Sequence, residues 1–444
     1  MRRVRPVKDR RQEEWREYER GALWVLPAIS MVAAIALGAL LSRVQVSRRA
    51  PLHHLLFEGT TEDARTLLIG ITGAVITIIA LVLGLTLVAL QVSSTQYSPR
   101  VLRNFLRDRA NQVCLSVLVA TFAYSVGGLY TVVAAPGSQP GGSYPQLAVT
   151  VAIVLLFASL GALIFFLDHL AHSIQIDRLM TDIERATLQV IGQEPPGLRP
   201  GSGPGEAPAP PVWAVTVRAH RHGYVQTVHP ERLLPVAEHL GVSVQTVPLT
   251  GDHVVAGRPI AHVWRASPEQ PLPDPAALAG AVQDALRIGY QRTLQQDVRF
   301  GMRQLVDIAL RALSPAVNDP YTAIQAIHRL TVLLGALASR PLGDYQITGK
   351  NQARVIVHAP SFADYTELAC GLIRRYGAAE PTVAAALLVL LQDARTQISD
   401  PDRTQVLAGQ ARLILSDAEQ SARQPADLAQ VRDQAALLLT SGTS

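Results

Sequence analysis

The most constraining feature of this 444-residue chain is a long segment without charge. Between Arg109 and Asp168 the sequence contains no Asp, Glu, Lys or Arg. The segment holds two long apolar runs, joined by residues 136–142, which are rich in proline and glycine. Proline and glycine of this kind mark turns, and no soluble fold needs two uncharged apolar runs of this length in succession. The segment therefore predicts a helical hairpin that crosses a membrane.

Four uncharged stretches are long enough to cross a hydrocarbon core of about 30 Å: 21–41, 67–90, 113–135 and 147–167. Charged residues make up only 17% of the chain, against roughly a quarter in soluble domains. The first stretch lacks a convincing cleavage site, so we interpret it as a span and not as a signal peptide. The predicted fold class is a multi-domain membrane protein, with an α-helical transmembrane bundle of four spans, a small β module and a mainly α-helical cytoplasmic domain.

Basic residues are distributed unevenly around these spans. Eight lie in residues 1–20, four follow the second span and two follow the fourth, whereas the first loop has four and the hairpin turn has none. Arg and Lys are enriched on the cytoplasmic side of membranes, so 14 against 4 predicts that both termini are cytoplasmic. An apolar stretch follows residue 20 directly, so the basic N-terminus is interpreted as a flank of the first span and not as a nucleic-acid-binding arm.

The second span carries small or polar residues at steps of three and four, which places them on one helix face. We call this face the span-two stripe, and its members are Gly70, Gly73, Thr77, Ala80, Gly84, Gln91 and Ser94. Small residues let helix backbones approach closely in lipid, which favours a packing face. Hydroxyl and amide groups can also line a water-filled path. Both interpretations remain open at this point.

Polar residues continue from the second span to Ser98, which is predicted to cap a new helix with Pro99 at its first position. Arg100, Arg103 and Arg107 lie on one side of that helix, opposite its apolar residues. This pattern is typical of an interfacial helix whose arginines contact lipid headgroups. A plain basic flank of the second span is the alternative.

The rest of the chain divides by composition. A juxtamembrane helix is predicted over 169–191, followed by a linker over 192–211 in which 12 of 20 residues are Gly or Pro. Residues 212–265 form the predicted β module, with strands at 212–217, 223–228, 243–248 and 259–264. Residues 274–444 form the mainly helical domain, with one β-hairpin at 344–348 and 354–358. Its predicted helices are 276–289, 292–313, 320–339, 362–376, 382–398, 403–421 and 425–439.

A turn in the β module, from Gly251-Asp252 to Gly257-Arg258-Pro259, resembles a turn of biotinyl- and lipoyl-carrier modules. Those carriers are modified on a lysine. The chain has no lysine between Lys8 and Lys350, so a carrier function is excluded.

One candidate polar site lies in the helical domain. It consists of Gln296 and Asp297 together with Asn318 and Asp319, which follow a sharp Ser-Pro turn. The alternative is a capped helix start, because Asn or Asp directly before Pro320 is typical of a helix N-terminus.

Several chemistries lack support in the sequence. Cys114 and Cys370 are the only cysteines, so neither a disulfide framework nor a CxxC metal site is expected. Phosphate-binding loops, zinc-protease motifs and nucleophile elbows do not occur, and the predicted spans contain no ionisable Asp, Glu, Lys or Arg. We therefore expect neither an enzyme nor a metal or other cofactor.

Three stretches resemble the bacterial membrane proteins grouped as the domain of unknown function 2254 (DUF2254) family. They are residues 85–107 (LTLVALQVSSTQYSPRVLRNFLR), 165–175 (FFLDHLAHSIQ) and 295–323 (QQDVRFGMRQLVDIALRALSPAVNDPYTA), together with Gly223-Tyr224-Val225-Gln226. The resemblance runs over most of the chain. The resemblance implies the membrane architecture, in a bacterial inner (cytoplasmic) membrane, but no activity.

Two functions remain as hypotheses. The first is a homo-oligomeric channel or transport-type pore with a cytoplasmic regulatory domain, supported by the span-two stripe and its polar exit. The second is a non-transporting scaffold or sensor, in which the spans only anchor a cytoplasmic domain that binds an unidentified protein. The lipid bilayer is a partner in both, and no nucleic acid is expected.

Overall fold

A computed structural model describes residues 24–42, 56–96, 109–134, 145–173, 175–193, 209–269, 272, 274–350, 353–422 and 424–440. The chain divides into two compact units, Met1–Ile176 and Asp177–Ser444. We call them the N-terminal unit and the C-terminal unit and describe each by itself.

The N-terminal unit is helical in its described part. Its helices are α1 (Val25–Leu41), α2 (Thr61–Gln96), α3 (Arg109–Ala134) and α4 (Gln146–Ser173). Three of them, α2, α3 and α4, are long and apolar enough to cross a membrane, whereas α1 is a shorter apolar helix of 17 residues. The membrane architecture is thus supported for three spans, and the first predicted span, which falls on α1, stays a prediction.

Helix α3 lies at the centre of this unit, since it packs against α1, α2 and α4. Small residues bring α1 close: a methyl group on Gly38 would lie 3.6 Å from the Tyr124 ring of α3. Two apolar clusters fill the space between α2, α3 and α4. One contains Leu68, Ile71, Val75, Tyr124 and Ala152, and the other contains Val82, Ala89, Cys114, Leu118, Phe166 and Leu170.

The C-terminal unit begins at Asp177, in the first turn of α5 (Ile176–Gly192). The sequence predicts one juxtamembrane helix over 169–191, but in the structure α4 continues to Ser173 and α5 begins at Ile176. Residues 194–208 of the predicted linker lie outside the described residues.

Two β-sheets come next along the chain. The strands are β1 (Val215–Arg218), β2 (Gly223–Val228), β3 (Ser243–Thr246), β4 (His253–Val254), β5 (Pro259–Trp264), β6 (Leu286–Gly289), β7 (Tyr345–Thr348) and β8 (Arg354–Val357). One sheet has the order β1-β5-β3-β8-β7 and the other has the order β4-β2-β6. Helices α6 (Pro230–Leu240) and α7 (Pro275–Ala285) pack on the cluster of buried residues that both sheets share.

The hairpin β7–β8 does not stand apart from the β module. β8 pairs with β3 in parallel, with Val355 opposite Val244, so the hairpin extends the five-stranded sheet. The predicted helix over 276–289 is wrong at its end, because β6 occupies residues 286–289 and pairs with β2. Leu286 and Ile288 alternate inward there, which is the pattern of a strand and not of a helix.

The remaining helices are α8 (Val298–Ala312), α9 (Pro320–Ala338), α10 (Phe362–Gly377), α11 (Pro381–Arg395), α12 (Pro401–Ser421) and α13 (Ala429–Thr440), the last preceded by a 3-10 turn (Pro425–Leu428). α8 and α11 both pack on α9. Burial raises the pKa of the Cys370 thiol, on α10, to about 12. Cys370 is therefore an inert core residue, since the thiolate is the reactive form of cysteine.

Candidate functional site

The span-two stripe lies on the outward face of α2 in the described bundle. Gly70, Gly73, Thr77, Ala80, Gly84 and Gln91 are all exposed, whereas Ala64, Leu68, Ile71, Val75, Val82 and Ala89 of the same helix are buried. At 3.6 residues per turn the two sets lie roughly opposite each other around the helix. Therefore α2 packs on its own chain through this buried apolar face and presents the stripe outward.

The glycines of the stripe have open space beside them. A methyl group placed on Gly70, Gly73 or Gly84 would find no described atom within 4 Å. The stripe is therefore not a packing face against the described helices of its own chain. If it is a packing face, its partner lies outside the described helices of this bundle.

The polar residues of the stripe are Thr77, Gln91 and Ser94. The Thr77 hydroxyl donates a hydrogen bond to the carbonyl oxygen of Gly73, at 2.9 Å. Its proton is thus used within the helix, while its oxygen still offers lone pairs to the outside. Gln91 is exposed, and the side chain of Ser94 lies outside the described residues, as do Arg100, Arg103 and Arg107.

A second set of polar side chains is buried inside the bundle, and sequence reasoning missed it. α3 buries Asn111, Gln112, Ser116, Thr121 and Ser125. Ser159 of α4 donates to Thr121 Oγ1 at 2.8 Å, and the Tyr124 hydroxyl donates to the carbonyl oxygen of Ala148 at 2.9 Å. The four-residue spacing of Thr121 and Ser125 inside a predicted span was the available signal, because polar side chains join helices in membranes.

The four residues of the predicted polar site are not brought together. Gln296 and Asp297 precede α8, and Asn318 and Asp319 follow it. A helix of 15 residues is about 22 Å long, so the two pairs lie at opposite ends of α8.

Asn318 and Asp319 shape the start of α9. Asn318 has a left-handed backbone with φ of 49°, which Asn tolerates better than most residues. Asp319 accepts hydrogen bonds from the Thr322 backbone N–H at 3.1 Å and from the Thr322 hydroxyl at 2.6 Å. These bonds hold the pKa of Asp319 below its usual value. This pair thus has the geometry of a helix cap.

Asp297 is the centre of a buried polar cluster. Its side chain is only 1% exposed. Its Oδ2 accepts from Arg292 Nε at 2.9 Å, and its Oδ1 accepts from the Phe300 backbone N–H at 3.0 Å, which caps α8. Burial raises the pKa of Asp297, against the opposing effects of Arg292, Arg299 and the Phe300 N–H.

The cluster joins α8 to the turn that precedes β4. Arg299 Nη2 donates to Asp252 Oδ1 at 2.7 Å and to the carbonyl oxygen of Thr250 at 3.0 Å. Next to them, Gly251 has φ of +90°, and a methyl group there would lie 2.1 Å from Asp297 Oδ2. We call Gly251, Asp252, Arg292, Asp297 and Arg299 the Asp297 cluster.

Gln296 fixes the same region to the three-stranded sheet. Its Oε1 accepts a hydrogen bond from the Val228 backbone N–H of β2 at 2.8 Å. The two arginines and two aspartates of the Asp297 cluster balance in charge and are mutually paired. This arrangement joins the sheet to α8, and it presents no activated nucleophile. Within the described ranges, no group of three or more His, Cys, Asp or Glu could hold a metal ion.

Comparison with known proteins places these features in a family. The family described as "Predicted membrane protein (DUF2254)" matches residues 20–393. An uncharacterised protein of Mycobacterium bovis and one of Mycobacterium tuberculosis strain H37Rv are each 41% identical over 426 residues, which cover 95% of this chain and 80% of each relative. No solved structure matches the chain.

Because of the Asp297 cluster, we expect two glycine substitutions in one turn region to lower the free energy of unfolding by different amounts. Gly251→Ala and Gly257→Ala both place a side chain on a backbone with positive φ, of +90° and +84°. Gly257 has no described atom within 4 Å of the new methyl group, so its cost is the backbone strain of about 1–2 kcal/mol. Gly251→Ala also displaces Asp297, and breaking a buried ion pair costs about 3–5 kcal/mol.

Thermal unfolding of the full-length protein measures this difference, followed by tryptophan fluorescence with Trp15 and Trp24 replaced by Phe, so that Trp213 and Trp264 give the signal. We expect Gly251→Ala to lower the unfolding temperature clearly more than Gly257→Ala. Equal losses would mean that the contact between the turn and Asp297 contributes nothing.

Proposed function

The chain belongs to the DUF2254 family of predicted membrane proteins, and we propose that it is a homo-oligomeric channel whose α2 helices meet around a common axis. In this proposal α1 is a fourth span, both termini are cytoplasmic, and the C-terminal unit is a cytoplasmic regulatory domain. The observation that carries the proposal is the outward position of the span-two stripe.

An outward stripe of small residues calls for a partner. A glycine inside a helix costs about 1 kcal/mol relative to alanine, and a lipid-facing glycine offers little surface for packing. Between helices in a bilayer, by contrast, small residues permit the close backbone approach on which association depends. A second copy of α2 supplies such a partner, because symmetric oligomers repeat the same surface on every subunit.

The chemistry of the stripe also suits a wet surface. Exposed Thr77, with its oxygen lone pairs, and exposed Gln91 lie on the same face as the glycines. Uncharged pores are lined by such hydroxyls, amides and backbone dipoles. Copies of α2 that touch through some of the glycines would enclose these polar groups near the axis. The scaffold or sensor hypothesis also allows assembly through the stripe, but it requires that the axis stays dry.

Assembly is tested by leucine substitutions at glycines that have open space in the chain. Gly73→Leu should disrupt the oligomer without harming the protomer, since no described atom lies within 4 Å of the new methyl group. Gly161→Leu on α4 is the matched control, because Gly161 is also exposed and open. Size-exclusion chromatography with light scattering in detergent gives the mass of each variant. An oligomer that survives Gly73→Leu as well as it survives Gly161→Leu contradicts assembly through the stripe.

Water access separates a pore from a dry packing face. Thr77→Cys should react with a small water-soluble thiol reagent in the assembled protein, and its modification should lower ion or solute flux into liposomes. Phe157→Cys on α4 is the lipid-facing control, since Phe157 is 67% exposed. The native Cys114 and Cys370 are both buried, which keeps the background low.

An unreactive Thr77→Cys in a fully assembled protein, with no flux through the parent protein, would exclude the pore. That combination favours the scaffold or sensor function.

Topology is tested by cysteines in two parts of the chain. Ser138→Cys, in the predicted hairpin turn, should react from outside intact cells with an impermeant reagent. Tyr290→Cys should react only after the cells are opened, and Tyr290 suits this purpose because it is 84% exposed. Labelling of Tyr290→Cys from outside would reverse the proposed orientation.

A further inference from the structure

Helix α5 packs on the rest of the C-terminal unit through a single stripe of buried residues. These are Met180, Ile183, Thr187 and Ile191, at steps of three and four. That spacing forms one face of a helix. The rest of the helix is polar or partly exposed, so α5 is attached along one side.

Two contacts fix the position of α5 on this surface. Thr187 packs against Gly301 of α8, where a methyl group would lie only 1.9 Å from Thr187 Oγ1. The Thr187 hydroxyl is satisfied within its own helix by the carbonyl oxygen of Ile183, at 2.6 Å. The contact with α8 is therefore steric, and it exists because residue 301 has no side chain.

The second contact is an ion pair with α9. Arg329 Nη1 donates to Glu184 Oε2 at 3.1 Å, and the Glu184 side chain is 14% exposed. A partly buried pair of this kind is less screened by salt than a surface pair. Glu184 and Thr187 are three residues apart, so one turn of α5 contacts both α8 and α9.

The connections at the two ends of α5 differ greatly in length. Only residues 174 and 175 lie between α4 and α5, which gives a reach of a few ångströms per residue. Residues 193–214 lie between α5 and β1, and 22 residues can span up to about 75 Å. A connection of that length places almost no constraint on the position of β1.

We propose that α5 is a docking helix, and that the α8–α9 surface holding it anchors the C-terminal unit to the membrane spans. The partner that fits this surface is thus a segment of the same chain, which is covalently continuous with α4. The Gly/Pro-rich segment after α5 provides connectivity and no anchoring. This inference holds whether or not the spans conduct.

Cutting the chain inside the linker tests the proposal. A recognition sequence for a site-specific protease replaces residues 198–204 of the full-length protein, which is then cleaved in open membrane fragments. We expect the C-terminal fragment to sediment with the membranes after cleavage, because α5 stays with the spans and the α8–α9 surface stays bound to α5. Release of this fragment from the otherwise unaltered protein would overturn the proposal.

Variants of the contact identify α5 as the cause of retention. Gly301→Ala should speed release of the cleaved fragment about ten- to a hundredfold, as expected for overpacking. Gly335→Ala on α9 is the matched control, because a methyl group there has no described atom within 4 Å. Equal retention in both variants would show that another surface holds the fragment.

Exchanging the charges of Glu184 and Arg329 gives a second test, which remains informative if Gly301→Ala impairs folding. Glu184→Arg should speed release, and the double variant Glu184→Arg with Arg329→Glu should restore retention, because the ion pair is re-formed in reverse. A double variant that is released as fast as the single one would contradict docking through this pair.

Discussion

The hydrogen bonds between α3 and α4 are the constraint on which the described bundle depends. In a bilayer, apolar side chains gain little by leaving lipid for protein, so helices associate through close packing and polar contacts. α3 supplies both: Thr121 bonds to Ser159, and Tyr124 bonds to the backbone of α4. The ring of Tyr124 also lies against Gly38 of α1. With its inner face occupied in this way, the bundle leaves the small face of α2 on the outside.

The elements that could be predicted from the sequence are those decided by local pattern. The second and fourth predicted spans fall within α2 and α4, and the third coincides with α3 as far as Ala134. A long apolar run forms a helix in a membrane because a helix satisfies all of its backbone hydrogen bonds internally. The strands near 223–228 and 259–264 were predicted at their observed bounds, because each short β-rich run ends at turn residues. Membership of the DUF2254 family was likewise confirmed, by a match over residues 20–393.

The features that could not be predicted depend on pairs of residues distant in sequence. β8 joins β3 across more than a hundred residues, and no local pattern of Arg354–Val357 indicates its partner. The Asp297 cluster is similar. The need for a glycine at position 251 becomes clear only when the fold places the carboxylate of Asp297 beside it. Helix α6 was missed for a different reason. Pro230 and Gly241 are typical of a helix start and end, but the segment lies between predicted strands and was interpreted as part of the β module. The outward direction of the span-two stripe also required the structure, since periodicity identifies a face but not its neighbour.

The docking of α5 has a consequence for the order in which the protein is made. Glu184 and Arg329 are 145 residues apart in sequence. At roughly 5–20 residues per second, the ribosome needs about 7–30 s to produce the partner of α5 after α5 itself. Throughout that interval the apolar side of α5 is not yet covered by α8 and α9. This apolar side is open to wrong association until α8 and α9 have been synthesised and have folded against α5.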